Sequence, residues 1–384
     1  MKKICFITTS RADFGTLNEL IKEVIKTKLL VQLIISGSHT DKFFGNTQKE
    51  INYKKKYLTK KVKVIGQNKN SKSVALSFAD CVNKFTKALL KLKPNIFVIY
   101  GDRYEMLAAA VSSYILRIPI VHIAGGEKTF GSIDEGFRHS ISKLANLHFP
   151  TTHKHRKRLI QLGENPKTIF NFGSLHFDKI KNNSYLIKKQ LEKKLKIKFY
   201  KKNLVITYHP ETISMQKSLE NLSILFKSLK KIKNTMMIIT SPNADAQGNL
   251  MINYIEEFIK KNKLKNFLFF KSLGSQIYLS LLKIVNGVVG NSSSGISEVP
   301  FFGIGTVNIG DRQQGRSTFS SIINCKVSQK IIVKSVNKIL KNNFEKKNPS
   351  ELKIFGDGQT SKKITKKLLS FNFKKYNKKV FYDF

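Results

Sequence analysis

Short apolar runs recur along the chain, each followed by glycine or small polar residues and then by a helical repeat. Lys3–Thr8 is β-branched and aromatic, a first strand that ends in TTSRADFG before helical spacing over Thr16–Ile25. Leu29–Ser36 predicts a second strand leading to a loop at Gly37–Gly45, and Ser71–Leu92 a long helix. Asn95–Tyr100 reads as a buried strand ending in Gly101-Asp102-Arg103-Tyr104-Glu105, with a helix through Met106–Leu116. Ile118–Ile123 is another apolar strand, which passes through Gly125-Gly126 into a polar loop and a helix starting near Ser132. A weak strand near Leu147–Phe149, a helix Thr152–Leu162 and a strand Thr168–Phe172 follow.

Near Gly173 the pattern restarts. A charged connecting helix, Ser184–Leu195, precedes a strand Leu204–Tyr208 that ends in His209-Pro210-Glu211. Then come a helix Met215–Ile232, a strand Met236–Thr240 and the loop SPNADAQG. A helix Leu250–Lys261, a strand Phe267–Phe270 and a helix Ile277–Ile284 follow. The short strand Val288–Gly290 ends in Asn291-Ser292-Ser293-Ser294-Gly295, and a helix begins there with Glu298 in its first turns. Thr306–Ile309 leads into GDRQQGR, and Phe355–Phe371 reads as a turn and a last helix. Strands alternating with helices mean parallel sheets. Two successive sets predict an α/β fold of two doubly wound Rossmann-like domains facing across a cleft. The first covers 1–172, with the helix at 359–376 packing back on it, and the second covers 173–358, with a hinge near Phe172–Leu175.

In open α/β sheets ligands bind beyond the carboxyl ends of the strands, where this chain concentrates its chemistry. Glu127, Asp134, Glu135, Arg138 and His139 fall within one short stretch. Asp134 with Arg138, and Glu135 with His139, share helix faces at i,i+4. Such pairs also occur on solvated helix faces, and Asp102 after its strand could equally be a helix N-cap. Small residues before Ser294 suit an anion held by backbone N–H groups and a helix end. A capped helix without ligand is the plainer alternative.

The chain has 384 residues, enough for two cores, and 41% hydrophobic content. No apolar run approaches the ~20 residues that span a bilayer. The N-terminal apolar run is too short for a signal peptide. Cys5, Cys81 and Cys325 form no CxxC, so neither disulfides nor a zinc cluster is expected and a cytoplasmic location fits. Lys and Arg number 69 against 25 acids, a net charge of +44, but eight of the 69 are arginine and the lysines are spread throughout. That spread favours solvated faces over nucleic acid or membrane binding. Arg11, Arg103, Arg138, Arg312 and Arg316 instead sit in glycine- or carboxylate-rich segments, which suggests bidentate recognition of phosphate or carboxylate. His153 and His155 form an isolated HxH that reads as surface.

Taken together, GDRYEMLAAA (101–110), HIAGGEKTFGSIDEGFRHSISKLANLHF (122–149), TYHPET (207–212), VVGNSSSGISEVPFFG (288–303) and TVNIGDRQQGR (306–316) resemble the hydrolysing UDP-N-acetylglucosamine 2-epimerase family. Its members serve sialic, legionaminic and related nonulosonic acid synthesis. The resemblance implies a GT-B arrangement, a nucleotide-sugar substrate, no redox cofactor, no metal, and a homodimer or higher homo-oligomer. It implies catalytic positions at Asp102, Glu127, Asp134, Arg138 and His209. It implies diphosphate and nucleotide contacts at Arg11, Ser293, Ser294, Gly295, Glu298, Arg312 and Arg316. The implied substrate is UDP-N-acetylglucosamine or a UDP- or GDP-linked 2,4-diacetamido-2,4,6-trideoxy sugar. Thr9 stands where relatives carry glycine, Ser38 and Thr40 where they carry apolar residues, and Gly305 where proline is usual; Gly173–His176 departs slightly at the hinge. Two other classes stay open: a retaining glycosyltransferase of the same fold, and a polyanion-binding protein.

Overall fold

The computed structural model describes residues 2–40, 51, 58–64, 71–211, 217–242, 248–316, 318–342, 344 and 350–383. Six parallel strands build the first sheet: β1 (Lys3–Thr8), β2 (Leu30–Ile35), β3 (Leu58–Lys61), β4 (Ile96–Tyr100), β5 (Ile120–Ile123) and β6 (Leu147–Phe149). Their order is β3-β2-β1-β4-β5-β6. Helices α1 (Arg11–Ile25), α2 (Ser71–Leu92), α3 (Tyr104–Ile115), α4 (Asp134–Leu144) and α5 (His153–Gln161) connect them or follow the last. The period-two alternation of β1 sends Ile4 and Phe6 to one core and Cys5 and Ile7 to another, on opposite faces of the sheet. A sheet buried on both faces is why these strands read as continuous apolar runs.

After α6 (Leu175–Lys181) and α7 (Lys188–Leu195) comes a second parallel sheet. Its strands are β7 (Lys202–Thr207), β8 (Thr235–Thr240), β9 (Phe267–Phe270), β10 (Gly287–Gly290), β11 (Gly305–Ile309) and β12 (Ile322–Cys325), in the order β12-β11-β10-β7-β8-β9. Helices α8 (Ser218–Lys230), α9 (Gly248–Lys261), α10 (Gly274–Leu282), the single turn α11 (Ser294–Ser297) and α12 (Gln329–Lys341) accompany it. The last helix, α13 (Thr360–Ser370), lies against α1 and buries Ile364 and Leu368 in the core that holds Ile4 and Phe6. Asp178 of α6 fixes its start, accepting from Thr360 N at 3.0 Å and Ser361 N at 2.6 Å. The two chain crossings between the halves touch: Ser174 N donates to Phe355 O at 2.9 Å, beside Gly173 and Gly356.

Several expectations need correction. Thr168–Phe172 is not a strand. Thr168 closes a 3₁₀ turn, Ile169 makes one isolated bridge to His148, and Phe170 and Phe172 stack near Phe149. The connecting helix begins at Lys188, not Ser184, and α6 is separate from it. The first helix starts at Arg11, five residues before the apolar spacing, because Ser10 and Asp13 form a capping box. Strands β3 and β12 and helices α6 and α12 lie where no element was expected. Parts of the expected features at Asp41–Gly45, Thr212–Gln216 and Asn243–Gln247 lie outside the described residues.

Gly290 closes β10 at φ +140°, where an added Cβ would stand 1.9 Å from Thr207 O. Gly290→Ala is therefore expected to destabilise the protein by roughly 1–3 kcal/mol from backbone strain alone, with further loss from the clash. A denaturant melt measures it, and an unchanged midpoint would refute the close approach.

Candidate active site

Each sheet reverses its strand order once, between β1 and β4 in the first and between β7 and β10 in the second. The side chains of interest gather beyond those carboxyl ends. After β4, Gly101 turns the chain at φ +85° and delivers Asp102. Asp102 is not the cap of α3, which begins after Arg103 without a side-chain cap. After β5, Ala124 and Gly126 both take positive φ. A Cβ on Gly126 would lie 2.4 Å from His155 O, so α5 and this turn can approach only through glycine. Arg158 donates to Gly126 O, and Glu127 follows directly.

Arg138 is 1% exposed and organises the first half of the site. It donates to Asp102, to Glu135 Oε2 at 2.9 Å, to Thr129 Oγ1 at 2.7 Å and to Glu127 O at 3.1 Å. Burial disfavours its charge, but Asp102 and Glu127 outweigh that and raise its pKa. A buried guanidinium surrounded by carboxylates and acceptors fixes those side chains in place. Asp134 opens α4, with Ser132 Oγ donating to its Oδ2 at 2.8 Å. Glu135 links this cluster to His139 Nε2 at 3.1 Å.

Glu127 carries the contact between halves. Its Oε2 meets Arg316 Nη1 at 3.0 Å, and its Oε1 accepts from Thr151 Oγ1 at 3.2 Å. Burial works to raise its pKa, yet the charge of Arg316, helped by His155, Arg138 and His176, holds the carboxyl down at about 2. The loops join here too. Phe130 N donates to Gln314 O at 2.8 Å, and a Cβ on Gly131 would strike Asp311 O at 2.1 Å.

A cleft of about 1120 Å³, open solvent included, lies between the halves. Asp102, Glu127, Asp134 and Arg138 line it from one side, and Ser293, Arg312 and Arg316 from the other. The remaining sequence candidates are not among the residues that line it. Arg11 bonds Ser272 across the halves. The His209 backbone is stitched to the Asn291 side chain at 2.6 and 2.9 Å. Ser294 Oγ donates to Glu298 Oε2 at 2.5 Å and meets Tyr278 Oη at 2.7 Å. Gly295 packs on Thr306. Glu298 also pairs with Lys179 at 2.7 Å and His176 at 3.5 Å; despite burial, Lys179 holds its pKa far below the usual range. The expected helix at this loop is one turn, with Glu298 as its C-cap, so little aligned dipole is available there. Among the described residues, no three His, Cys, Asp or Glu side chains converge as metal ligands would.

A sequence profile of the UDP-N-acetylglucosamine 2-epimerase family matches residues 22–369. The chain belongs to that family. Epimerisation of a nucleotide sugar at C2 comes with membership. A GDP/UDP-N,N'-diacetylbacillosamine 2-epimerase (hydrolyzing) of Campylobacter jejuni is 43% identical over 328 residues, 85% of each chain. Polysialic acid biosynthesis protein P7 of Escherichia coli is 35% identical over 342 residues, 88% of this chain and 86% of that one. The UDP-GlcNAc 2-epimerase of Methanocaldococcus jannaschii, solved with UDP-GlcNAc and UDP, superposes with a TM-score of 0.79 at 20% identity, covering 96% of this chain and all of that one. The fold is the GT-B-like arrangement of these epimerases.

The epimerase cleft also contains residues that the sequence motifs did not single out. His176 lies between Tyr100 Oη, 3.0 Å from its Nε2, and Thr16 Oγ1, 3.3 Å from its Nδ1. Gln313 donates to Asn291 O at 2.9 Å from the second half. His155 corrects an expectation: it is 7% exposed and sits behind Glu127, not on the surface. The signal was available. His155 and Leu159 are four apart, and Leu159 is fully buried, so the helix turns both inward.

Proposed function

We propose that this protein is a hydrolysing 2-epimerase of a nucleotide-linked 2-acetamido sugar. Its substrate is UDP-N-acetylglucosamine or a UDP- or GDP-linked 2,4-diacetamido-2,4,6-trideoxyglucose. Its products are the free manno-configured sugar and the nucleoside diphosphate. The observation that carries this reading is one cleft in which the carboxylates Asp102, Glu127 and Asp134, with Asp13 beside them, face Arg312 and Arg316 from the other sheet. The substrate names of the Campylobacter jejuni relative support the diacetamido sugars, and the Escherichia coli relative supports a role in nonulosonic acid synthesis. Residues 1–172 with 359–376 act as the sugar-facing domain and 173–358 as the nucleotide domain, in a cytoplasmic homodimer or higher homo-oligomer.

The chemistry follows from the bonds. The hydrogen at C2 is hardly acidic, so a positioned carboxylate removes it as the C1–O bond breaks. The bonding electrons form a C1=C2 double bond, and the nucleoside diphosphate leaves with its bridging oxygen. Water then adds its hydroxyl to the resulting glycal at C1, and a proton returns to C2 on the opposite face. Two faces require two acid/base groups, and a set of acids in unequal environments supplies them. Arg11, His209, Arg312, Arg316 and the Ser293–Gly295 loop, with Glu298, hold and stabilise the departing diphosphate and its nucleoside. No hydride moves, so no redox cofactor is needed.

Incubation with a panel of UDP- and GDP-linked 2-acetamido sugars, without any acceptor, tests this directly. Free manno-configured sugar and nucleoside diphosphate are the expected products, followed by proton NMR. Turnover only in the presence of an acceptor would instead make the protein a glycosyltransferase. Arg316→Ala is expected to weaken UDP or GDP binding about ten- to hundredfold, the worth of a charged contact at ~1.5–3 kcal/mol. Calorimetry with the free nucleotide checks it, and wild-type affinity would remove Arg316 from the phosphate site.

A further inference from the structure

Thr151 follows β6, and the first turn of α5 brings His155 beside it; both are buried, at 4% and 7% exposure. Thr151 Oγ1 stands 3.2 Å from Glu127 Oε1 and 2.8 Å from His155 Nδ1. A hydroxyl has one proton to give. Ionised Glu127 can only accept, so that proton points to Oε1. The short contact to His155 is then a bond in which Nδ1 donates to the Thr151 oxygen. Burial holds the His155 pKa below its usual range, against the pull of Glu127, so the ring is neutral and carries a single N–H.

We propose that His155 and Thr151 form a positioning relay, His155 Nδ1–H to Thr151 Oγ1 and Thr151 O–H to Glu127 Oε1, that anchors one oxygen of the C2 acid/base carboxylate and leaves the other for substrate. The proposal rests on the reading of Glu127 as an acid/base group. The two oxygens of Glu127 have different partners. Arg316 on Oε2 comes from the opposite half, and an arriving diphosphate competes for it. Thr151 and His155 belong to the same half as Glu127 and stay with it. His155 acts through Thr151 and is a positioning residue, not a catalytic one.

The pH dependence has a defined sign. A hydrogen bond donated to the ionised carboxylate favours that form, so removing it raises the pKa. Arg316, Arg138 and His176 also face Glu127, and Arg158, Arg316 and Arg138 face His155. In the substrate complex the diphosphate competes for Arg316, so the carboxyl moves up toward its usual range and its titration is read in kcat.

Thr151→Val and His155→Leu are expected to lower kcat by about 10–100-fold, as a small misplacement of a reacting group does. KM should stay close to wild type, and the acidic limb of kcat should move to higher pH. His155→Asn, whose amide can present N–H toward Thr151, should recover most of the rate and return the limb. Nitrogen-15 NMR of the wild-type protein at neutral pH should find His155 as the neutral Nδ1–H tautomer, a measurement that needs no variant. An Nε2–H tautomer or a protonated ring overturns the relay. So does His155→Leu with wild-type kcat and limb, or His155→Asn as slow as His155→Leu. Failure of the underlying reading looks different: Glu127→Gln would then turn over at the wild-type rate, and unlabelled C2 after turnover in heavy water would remove the proton transfer altogether.

Discussion

Turnover in heavy water is expected to release a manno-configured sugar carrying one deuterium at C2. In the proposed mechanism the proton leaving C2 passes to a cleft carboxylate, and the proton that returns comes from a different group on the other face. The returning group exchanges with solvent between turnovers, so the new C–H bond draws on solvent. Loss of the C2 proton signal and a mass increase of one deuteron measure it. Solvent labelled with oxygen-18 should mark C1 of the sugar and leave the nucleoside diphosphate unlabelled, because elimination breaks the C1–O bond. A glycosidase-like hydrolysis would leave C2 gluco-configured and unlabelled. A hydride mechanism would keep the original hydrogen and demand a nicotinamide. Product with protium at C2 would end the elimination reading, whatever the family.

Much of this site was legible in the chain because parallel strands buried on both faces leave a plain signal: an apolar run, then glycine, then polar residues. That signal located β4 with Asp102, β5 with Glu127, and β10 with the serine loop. It could not give the partners. By spacing alone, Asp134–Arg138 and Glu135–His139 could equally have been solvated helix-face pairs of about 0.5 kcal/mol. Arg138 is instead buried, and its bond to Asp102 spans 36 residues, which no local spacing encodes. Arg316 looked like a phosphate ligand, and it meets Glu127 across the cleft because two sheets bring their carboxyl edges together.

Other misses have local causes. Pro166 opens a 3₁₀ turn, and the segment Phe170–Phe172 that follows mimicked a strand, but those rings stack on each other and pack at a tilt against Phe149 as the chain leaves the sheet. The charged surroundings of His155, Lys154 and Arg156, made it look solvated. Apolar periodicity understates α1 because its first turn is set by side-chain capping rather than by a buried face.

The carboxylates themselves should carry the largest losses. Asp134→Asn and Glu127→Gln are each expected to lower the rate by about 10²–10⁴, the usual weight of a positioned acid or base. Both changes keep the side chain's shape but remove its negative charge and its ability to titrate; Asp134→Asn should leave the melting temperature close to wild type, while Glu127→Gln, which unpairs Arg316, should lower it. The two sites differ in a way that separates their effects. Glu127 is bonded to Thr151 and paired with Arg316, so Glu127→Gln also removes the negative partner of an arginine in the nucleotide half. Nucleotide affinity should therefore rise or hold in Glu127→Gln, since Arg316 is released to phosphate, while turnover collapses. Asp134 is held by Ser132 at the start of α4, within its own half, and Asp134→Asn should leave nucleotide affinity unchanged. If one of the two serves only the return of the proton, that variant will still release nucleoside diphosphate slowly, together with the glycal, and give little epimerised sugar. The other will release neither. Two variants that both turn over at the wild-type rate would take the acid/base role away from this pair and leave it to Asp102 or Asp13, the other carboxylates among the described residues that line the cleft.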